Sequence, residues 1–378
     1  MIWDKRIFIG ILTLLIAVGC LGLTGVLVAT VALTGGDADS RQSAQSIDLA
    51  IMDRYDMYIA HQKSNALEGV MEVDKVYWLS DSDPVAPEPD QSKFGTAASP
   101  AELGWLLEEA AKILDGQDTY FSTELVTAPN SQVLYYLDET IFAVTWKQVV
   151  GNTMYTVTEV KIAHPTQFRR FLAGGEYGSP IQLTTSEMAA SVNAVVASSG
   201  DFYGFRRLGV IVYDGTVRRC DTEKVDTCYI NDQGDMLFSY RGELADMESA
   251  QAFVDENNIR FSLAFGPALV ADGQPCQIGS YSLGEVNDKY ARAGLGQLDR
   301  LHYLMVAANG EYPYTSAVTI AEFQKQMMAF GCQMAYTLDG GQTAVIVHND
   351  RVINRVVYGE QRKVSDIIYF ATAMPEWD

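Results

Sequence analysis

The chain is poor in the side chains from which metal centres and nucleic-acid sites are built. It has 4 histidines and 5 cysteines in 378 residues, and it contains neither an HExxH motif nor a CxxC pair. This supply is too small and too scattered for a rich metal centre, so we predict no metal and no cofactor. Basic residues are also scarce, with 27 Lys and Arg against 48 Asp and Glu. Because phosphate neutralisation needs clustered basic side chains, binding to DNA or RNA is not expected.

What the chain does have is apolar material. Hydrophobic residues make up 48% of the sequence and charged residues only 20%. That fraction is far too high for a disordered chain, and the length allows a sizeable core. The sequence therefore predicts a globular body whose chemistry relies on carboxylates, hydroxyls and arginines.

One long apolar run lies near the amino terminus, from Ile7 to Leu33, and carries no charge. At about 1.5 Å per residue it exceeds the roughly 30 Å hydrocarbon core of a bilayer, and it is longer than the core of a signal peptide. Lys5 and Arg6 precede the run, whereas Asp37 and Asp39 follow it. The positive-inside rule then predicts an uncleaved signal anchor in the cell membrane, with a cytoplasmic N-terminus and an extracytoplasmic body.

Two alternatives to this anchor remain open. Ala17 to Cys20 faintly resembles a lipoprotein cleavage box, and a buried core helix of the same length is conceivable. The flanking charges favour a membrane span. The predicted organisation is a tail at 1–6, an anchor at 7–33 that contacts the lipid bilayer, a linker and helical segment at 34–118, and the main domain at 119–378.

The main domain mixes short β-like runs with a few helices. Ile141 to Trp146 and Met154 to Ile162 are typical of strands, and Thr184 and Thr319 each begin a capping box that predicts a helix. Phe168 to Phe171 is interpreted as a helical face. The elements do not alternate strictly, so we predict an α+β fold with a mixed β-sheet and flanking helices.

Three stretches place carboxylates beside glycine or at the ends of apolar runs. Asp339 precedes Gly340 and Gly341, Asp201 follows Gly200, and Glu360 follows Gly359. Glycine lets the backbone approach a ligand closely. Taken singly, the first two stretches are more often tight turns, and the third is more often a solvated loop.

Taken together, these stretches resemble the phosphodiester glycosidase family, relatives of the lysosomal uncovering enzyme that removes N-acetylglucosamine from a phosphodiester on mannose. The resemblance covers roughly residues 119–375 and is most specific between Gly331 and Phe370. The matching segments are Gly200–Gly204, Phe265–Val270, Arg292 with Gly294 and Gly296, Gly331–Gly341, and Arg362–Asp366.

The resemblance implies a hydrolase that cleaves glycosyl phosphodiesters, here in an envelope polysaccharide or exopolysaccharide. Such cleavage passes through an oxocarbenium-like state, and arginines stabilise the departing phosphate. Asp339 is the first choice for nucleophile or base, Asp201 and Glu360 are the others, and Arg292 and Arg362 are assigned to the phosphate. The implied substrate-binding residues are Ser199, Gly200, Tyr203, Arg206, His302, Gly340, Gly341 and Thr343.

The chain departs from the family pattern at several positions. Ser199 and Thr337 replace amide side chains, and Asn309-Gly310-Glu311 replaces a common Asp-Gly-Arg. Ser199 and Thr337 motivate a rival hypothesis, a non-catalytic glycan-binding or envelope-scaffold protein that keeps the fold.

Two further features leave alternatives open. His302 lies in a predicted strand, where a hydrogen-bonded core histidine is more common than a catalytic one. Cys220 and Cys228 bracket a short loop between predicted strands. In an oxidising compartment they are candidates for a disulfide, although two free thiols are an equal alternative.

Overall fold

The computed structural model describes residues 76–77, 85–97, 102, 104–106, 108, 131–278 and 286–375. Strands dominate this part of the chain. In chain order they are β1 (Val76–Tyr77), β2 (Phe94–Ala97), β3 (Val133–Leu137), β4 (Ile141–Val150), β5 (Thr153–Ile162), β6 (Phe168–Leu172), β7 (Val196–Ser199), β8 (Gly209–Tyr213), β9 (Thr216–Asp221), β10 (Thr227–Asn231), β11 (Met236–Ser239), β12 (Ile259–Leu263), β13 (Ala268–Ala271), β14 (Gln274–Pro275), β15 (Arg292–Asp299), β16 (His302–Asn309), β17 (Met334–Leu338), β18 (Ile346–His348), β19 (Arg351–Val352), β20 (Asp366–Phe370) and β21 (Met374–Pro375).

Three α-helices are described over their full length: α1 (Thr185–Ser191), α2 (Met247–Glu256) and α3 (Ile320–Ala329). Each begins at a capping box, in which the N-cap side chain and the side chain three residues later exchange hydrogen bonds with the backbone. The boxes at Thr184 and Thr319 confirm the two helix starts predicted from the sequence. Within the predicted segment 34–118, residues 102, 104–106 and 108 are helical.

The strands form two principal sheets. A nine-stranded sheet has the order β14-β13-β17-β15-β16-β5-β4-β3-β2, and a five-stranded sheet has the order β19-β18-β7-β20-β6. A three-stranded sheet (β11-β10-β12) and the pairs β1-β21 and β8-β9 complete the described strands. A mostly β domain with a few helices agrees with the predicted α+β class. Every strand pair among the described residues is antiparallel, which is more regular than the mixed sheet expected from the sequence.

The nine-stranded sheet is buried on both faces, which explains its apolar central strands. Along β16, Tyr303 and Met305 pack into one cluster with residues of the five- and three-stranded sheets, whereas Leu304 and Val306 pack with α3 on the opposite face. Successive side chains of a strand point to opposite faces, so this alternation follows directly from the pleat. The two large sheets thus pack together and fix the relative positions of their strand ends.

One sequence prediction is wrong and one open alternative is decided. Phe168 to Phe171 lies in strand β6 and not in a helix, because it pairs along its length with β20. Cys220 and Cys228 are free thiols, which is one of the two alternatives that the sequence left open. Cys228 is buried in the main core, whereas Cys220 packs against a separate cluster around α2, so their side chains serve different packing layers.

The membrane anchor predicted at residues 7–33 lies outside the described residues. Among the helices that the structure describes, none is long and apolar enough to cross a membrane.

Candidate functional site

Asp339 lies where the two large sheets meet. Strand β17 ends at Leu338, which pairs with Ala293 of β15 in the nine-stranded sheet. The Asp339 amide then donates a hydrogen bond of 3.2 Å to the carbonyl of Gly200, which directly follows β7 of the five-stranded sheet. Two sheet ends therefore hold the Asp339 backbone, and a residue fixed in this way has little freedom to move during a reaction.

The two glycines after Asp339 are required by the local geometry. A Cβ at Gly340 would lie 2.5 Å from the carbonyl oxygen of Ala291, and Gly341 has a φ of +66°. The Gly341 amide also donates to the Ala291 carbonyl at 2.9 Å. The segment is thus the tight turn that the residue types alone favour, and it packs against the backbone of Ala291, which directly precedes β15.

The Asp339 carboxyl group combines burial with an unused acceptor. Its Oδ2 atom is buried and has no hydrogen-bond partner among the described residues. Burial raises the pKa of Asp339 to about 6, although contacts with Thr343 and the charges of Arg362 and Arg206 act in the opposite direction. A buried carboxylate with a raised pKa and a free oxygen is typical of groups that exchange protons or attack substrate.

This carboxyl group lines a cleft with a volume of about 700 Å³. The volume lies within the roughly 300–1,000 Å³ range of ligand sites. We call it the Asp339 cleft, and its described lining residues are Phe202, Phe205, Arg206, Arg207, Leu208, Phe265, Gly266, Pro267, Val286, Tyr290, Ala291, Arg292, Ile320, Asp339, Gly340, Gly341 and Arg362. Six residues predicted from the sequence therefore converge here: Arg206, Arg292, Asp339, Gly340, Gly341 and Arg362.

Three arginines of the cleft have no carboxylate partner within the described part of the chain. The Arg206 guanidinium lies over the Phe265 ring, 4.2 Å from its centroid, and the side chains of Arg207 and Arg362 are exposed. In a chain with 48 acidic and 27 basic residues, arginines that form no ion pair among the described residues are unexpected. Their guanidinium groups are available to bind an anion in the cleft.

Arg292 differs from these three. Its Nε donates to the Val318 carbonyl at 3.2 Å, and its Nη2 donates to the Asp288 carbonyl at 2.6 Å. The side chain is buried and stacks on the Tyr290 ring at 5.3 Å. Arg292 thus braces the wall of the cleft, and its predicted contact with phosphate stays a prediction.

Asp201 is not in the cleft. It belongs to a fully buried ionic cluster, which we call the Arg170 triad: Arg170, Asp201 and Asp366. Arg170 Nη2 lies 2.8 Å from Asp201 Oδ1 and 3.0 Å from Asp366 Oδ2. Both Asp201 oxygens are also occupied, because Oδ1 accepts from the Tyr203 amide at 2.9 Å and Oδ2 accepts from the Ala264 amide at 2.6 Å. A carboxylate whose two oxygens both accept hydrogen bonds stabilises the fold.

The Arg170 triad fixes the loop that carries Phe205 and Arg206. Asp366 accepts hydrogen bonds from the amides of Asp201 (3.1 Å) and Phe202 (2.9 Å). A Cβ at Gly200 would lie 1.8 Å from Asp366 Oδ2, so only glycine fits between β7 and the triad. Burial and the nearby charge of Asp201 raise the pKa of Asp366 above its ordinary range.

The remaining predicted site residues lie outside the cleft lining. Tyr203 is buried and stacks on Tyr177 beneath the loop, Ser199 is buried in β7, and Glu360 is exposed on its own loop. Thr343 is buried and donates from Oγ1 to the Gly340 carbonyl at 2.5 Å, which supports the turn from below. Their roles in substrate binding stay predictions, and only Thr343 acts directly on the Asp339 carboxyl group.

His302 lies in β16, away from the cleft. Its Nε2 is 2.5 Å from Glu159 Oε1, and both residues are buried. Burial lowers the pKa of His302. The arrangement is that of a core histidine paired with a carboxylate, which is the more common alternative that the sequence left open.

Sequence reasoning missed the aromatic residues and Arg207. Phe205, Phe265 and Tyr290 line the Asp339 cleft, and Phe205 is 76% exposed. The signal was present in the sequence as Phe205-Arg206-Arg207, where an aromatic residue directly precedes two adjacent arginines in an acidic chain. Arg170 and Asp366 were missed as a pair because 195 intervening residues hide their contact.

The part of the chain that contains the Asp339 cleft is similar to a known protein family. Residues 192–371 match the model of the phosphodiester glycosidase family. This range contains Asp339, the three unpartnered arginines and two members of the Arg170 triad.

Among curated proteins, an uncharacterized SPbeta prophage-derived protein of Bacillus subtilis, YomE, is 25% identical over 199 residues, covering 51% of this chain and 30% of that protein. A hypothetical protein from Synechocystis has a solved structure with a TM-score of 0.51, 14% identity and coverage of 64% of both chains. The catalytic domain of zebrafish N-acetylglucosamine-1-phosphodiester alpha-N-acetylglucosaminidase has a TM-score of 0.48 and 15% identity over 61% of this chain and 83% of that one.

The chain spans less than two thirds of the length of the Bacillus subtilis protein and of the Synechocystis structure. The likeness to the Synechocystis structure concerns the fold alone. The resemblance stated from the sequence motifs is nevertheless confirmed, because residues 192–371, which supply most of the Asp339 cleft, match the phosphodiester glycosidase family.

Proposed function

We propose that the protein is a glycosidase that hydrolyses glycosyl phosphodiesters in the Asp339 cleft. The observation that carries this proposal is the convergence of one unpartnered carboxylate oxygen with three arginines that lack acidic partners in the described chain. A carboxylate suits attack at an anomeric carbon or activation of water, and guanidinium groups suit the phosphate. The family match supports this assignment.

In the proposed reaction, the bond between the anomeric carbon and the phosphate oxygen breaks. Its electron pair leaves with the phosphate, which departs as a monoester and needs less protonation than an alcohol would. The ionised Asp339 carboxylate either attacks the anomeric carbon or accepts the proton of the water that attacks it. Water supplies the hydroxyl group of the released sugar in both routes.

Arg206 and Arg362 are the phosphate ligands in this scheme. Both line the same cleft as Asp339, and their positive charges act to lower its pKa, which supports this role. A phosphodiester held between them brings its negative charge to the same point, and the charge that develops on the leaving group is stabilised there. Arg292 supports the wall of the cleft in this scheme, because its Nε and Nη2 donate to backbone carbonyls.

The proposal also includes where the protein is located and which polymer it cleaves. The apolar run at residues 7–33 supports a single-pass anchor that holds the domain on the extracytoplasmic side of the membrane. An envelope polysaccharide or exopolysaccharide with phosphate linkages is the carbohydrate substrate in reach of a domain at that surface. Attraction over long distance is weak for an acidic protein, so recognition depends on the arginines of the cleft.

The experiment uses full-length protein purified in mild detergent and a panel of glycosyl methyl phosphates that differ in the sugar. We expect release of at least one free sugar, and we expect Asp339→Asn to lower kcat by a factor of about 10²–10⁴. Arg218→Ala, which removes an exposed arginine outside the cleft, is the matched control and should leave kcat within 2-fold, as is usual for surface changes.

Two results would contradict the proposal. One is that no sugar is released from any member of the panel, and the other is that Asp339→Asn turns over as fast as the unmodified protein. Calorimetric binding of a glycosyl phosphate without turnover would favour the rival, a non-catalytic glycan-binding or scaffold protein. The two departures that motivated that rival, Ser199 and Thr337, are both buried and do not line the cleft.

A further inference from the structure

The loop from Phe205 to Arg207, which we call the outer arm, presents two groups that cleavage of a single phosphodiester does not use. Phe205 is a large apolar side chain left 76% exposed at the edge of the cleft. Arg207 is exposed, lines the same cleft and has no acidic partner in the described residues. Arg206 and Arg362, but not Arg207, are among the main influences on the pKa of Asp339.

The outer arm is held rigidly in this position. The Phe202 amide is bound by Asp366, and Phe202 has a φ of +53°, an unusual conformation for a bulky residue. The amides of Phe205 and Arg206 both donate to the Phe202 carbonyl, at 3.0 and 3.1 Å. The Phe205 ring stacks on the Phe202 ring at 5.3 Å and 19°, so one of its faces is supported from below. Backbone strain held by a buried ionic cluster is a sign of functional use.

The groups that line the cleft differ in burial. Asp339 and Arg206 are half-buried, whereas Phe205 and Arg207, the chain neighbours of Arg206, are exposed, and all four line the same cleft. A glycosyl phosphate with its anomeric carbon at Asp339 and its phosphate at Arg206 extends its other ester group toward the outer arm. That group meets an aromatic face and then a second positive charge. Aromatic faces pack on flat apolar surfaces, and guanidinium groups bind phosphate.

We propose that the outer arm is a subsite for the next phosphate-bearing sugar of a repeating polymer: Phe205 stacks on its ring and Arg207 binds its phosphate. The inference rests on the proposed function and sharpens its substrate class. The preferred substrate is then a chain with phosphodiesters at regular intervals, and a single isolated glycosyl phosphodiester is a poor substrate. Phe205 and Arg207 determine specificity, and the bond that breaks is the same.

The test compares three soluble probes built on the sugar that the methyl phosphate panel selects, or on glucose when none is turned over. In the first, the phosphate carries a methyl group. In the second, it carries the 6-position of methyl glucoside. In the third, that methyl glucoside also carries a methyl phosphate diester. We expect kcat/KM to rise about 5-fold from the first probe to the second, and about 10-fold from the second to the third.

The variants separate the two contributions. Phe205→Ala should abolish the gain from the first probe to the second, Phe205→Tyr should restore it, and Arg207→Ala should abolish the gain from the second probe to the third. Arg218→Ala, outside the cleft, should keep both gains. An unmodified protein that shows no preference among the probes overturns the proposal. So does an Arg207→Ala variant that lowers kcat/KM equally for all three, because Arg207 then contacts the reacting phosphate.

Failure of the proposed function gives a different result. When no probe is turned over, calorimetry on the same probes measures dissociation constants in place of kcat/KM. The outer subsite predicts that the third probe still binds about 10-fold more tightly than the second, and that Arg207→Ala removes this difference. Equal binding of all three probes overturns the subsite as well.

Discussion

The Arg170 triad and the Asp339 cleft are built from the same side chains, yet they differ in how those side chains are satisfied. Each places a carboxylate after a buried strand and beside a glycine, with arginine close by. In the triad, Arg170 and Asp201 have no exposed side-chain surface, and both oxygens of Asp201 accept hydrogen bonds. In the cleft, Asp339 Oδ2 accepts none from the described chain, and Arg206, Arg207 and Arg362 form no ion pair among the described residues. The number of filled hydrogen bonds thus separates a carboxylate that stabilises the fold from one that is available for chemistry.

The largest expected effect comes from breaking the triad. Arg170→Ala leaves two buried carboxylates without their shared cation, and loss of one partner from a buried ion pair costs about 3–5 kcal/mol. Urea unfolding followed by circular dichroism measures the change in the free energy of unfolding. The matched change in the cleft, Arg362→Ala, removes an exposed side chain and should cost less than about 0.5 kcal/mol. Equal losses for the two variants would remove the distinction between the regions.

Gly200→Ala tests the contact between β7 and the triad. The added Cβ would lie 1.8 Å from Asp366 Oδ2, so either the carboxylate or the strand must shift. We expect a loss of about 1–3 kcal/mol in the free energy of unfolding, as for other overpacked cores. Gly204→Ala is the control in the same loop, because its Cβ would meet Ser365 at 3.2 Å and the residue is exposed. A smaller loss for Gly200→Ala than for Gly204→Ala would show that the triad yields easily.

Arg206→Ala tests the cleft directly. Loss of a charged hydrogen bond to the phosphate should lower kcat/KM by a factor of about 10–100, which corresponds to about 1.5–3 kcal/mol. The free energy of unfolding should change little, since Arg206 contributes a ring contact with Phe265 and no ion pair among described residues. Arg206→Lys keeps the charge but not the forked geometry, so it should recover only part of the activity. Full activity of Arg206→Ala would remove Arg206 from the phosphate site.

The smallest expected effect is the pH dependence of stability. Burial raises the pKa of Asp339 from 3.8 to about 6, so between these two values the folded state binds more protons than the unfolded state. The stabilising effect of the protonated form is therefore complete below about 3.8 and is lost as the pH rises through about 6. At pH 7, Asp339→Asn should raise the free energy of unfolding by at most about 3 kcal/mol, reduced by solvent screening at this half-buried residue, and this gain should vanish near pH 4. A gain that is independent of pH would contradict the raised pKa.

Activity should follow the opposite trend over the same range. The ionised carboxylate is the reactive form in both proposed routes, so kcat should increase as the pH rises through about 6. Initial rates on the best glycosyl methyl phosphate between pH 4 and pH 8 measure this profile. A profile that falls through pH 6 would make Asp339 a proton donor instead.

The sequence predicted the local elements well because their signals are local. The capping boxes at Thr184 and Thr319 depend on residues within a few positions of each other. The Asp339 turn was found for the same reason, since Gly340 and Gly341 follow it directly. The role of Asp201 was not predictable in this way. Its partners come from β6 and β20, and only the paired sheet brings Arg170 and Asp366 together.

The interpretation of Phe168 to Phe171 as a helical face shows the same limit. Four residues with apolar ends and basic centres fit the period of a helix as well as that of a strand. Pairing with β20 makes the segment a strand. Once the segment is a strand, Arg170 points into the interior and becomes the counter-ion of the triad. Arg170, which looks like a surface residue in the sequence, is thus buried. Arg206, which follows Phe205 in the chain, lines the cleft instead.

The most direct test of this account compares two isosteric variants, Asp339→Asn and Asp201→Asn, for both kcat and the free energy of unfolding. The account predicts that Asp339→Asn loses activity by a factor of about 10²–10⁴ without losing stability, and that Asp201→Asn loses about 3–5 kcal/mol of stability. Molecules of Asp201→Asn that stay folded should retain catalysis. The contrary result, an inactive but stable Asp201→Asn beside an active Asp339→Asn, would reverse the assignment of the two regions.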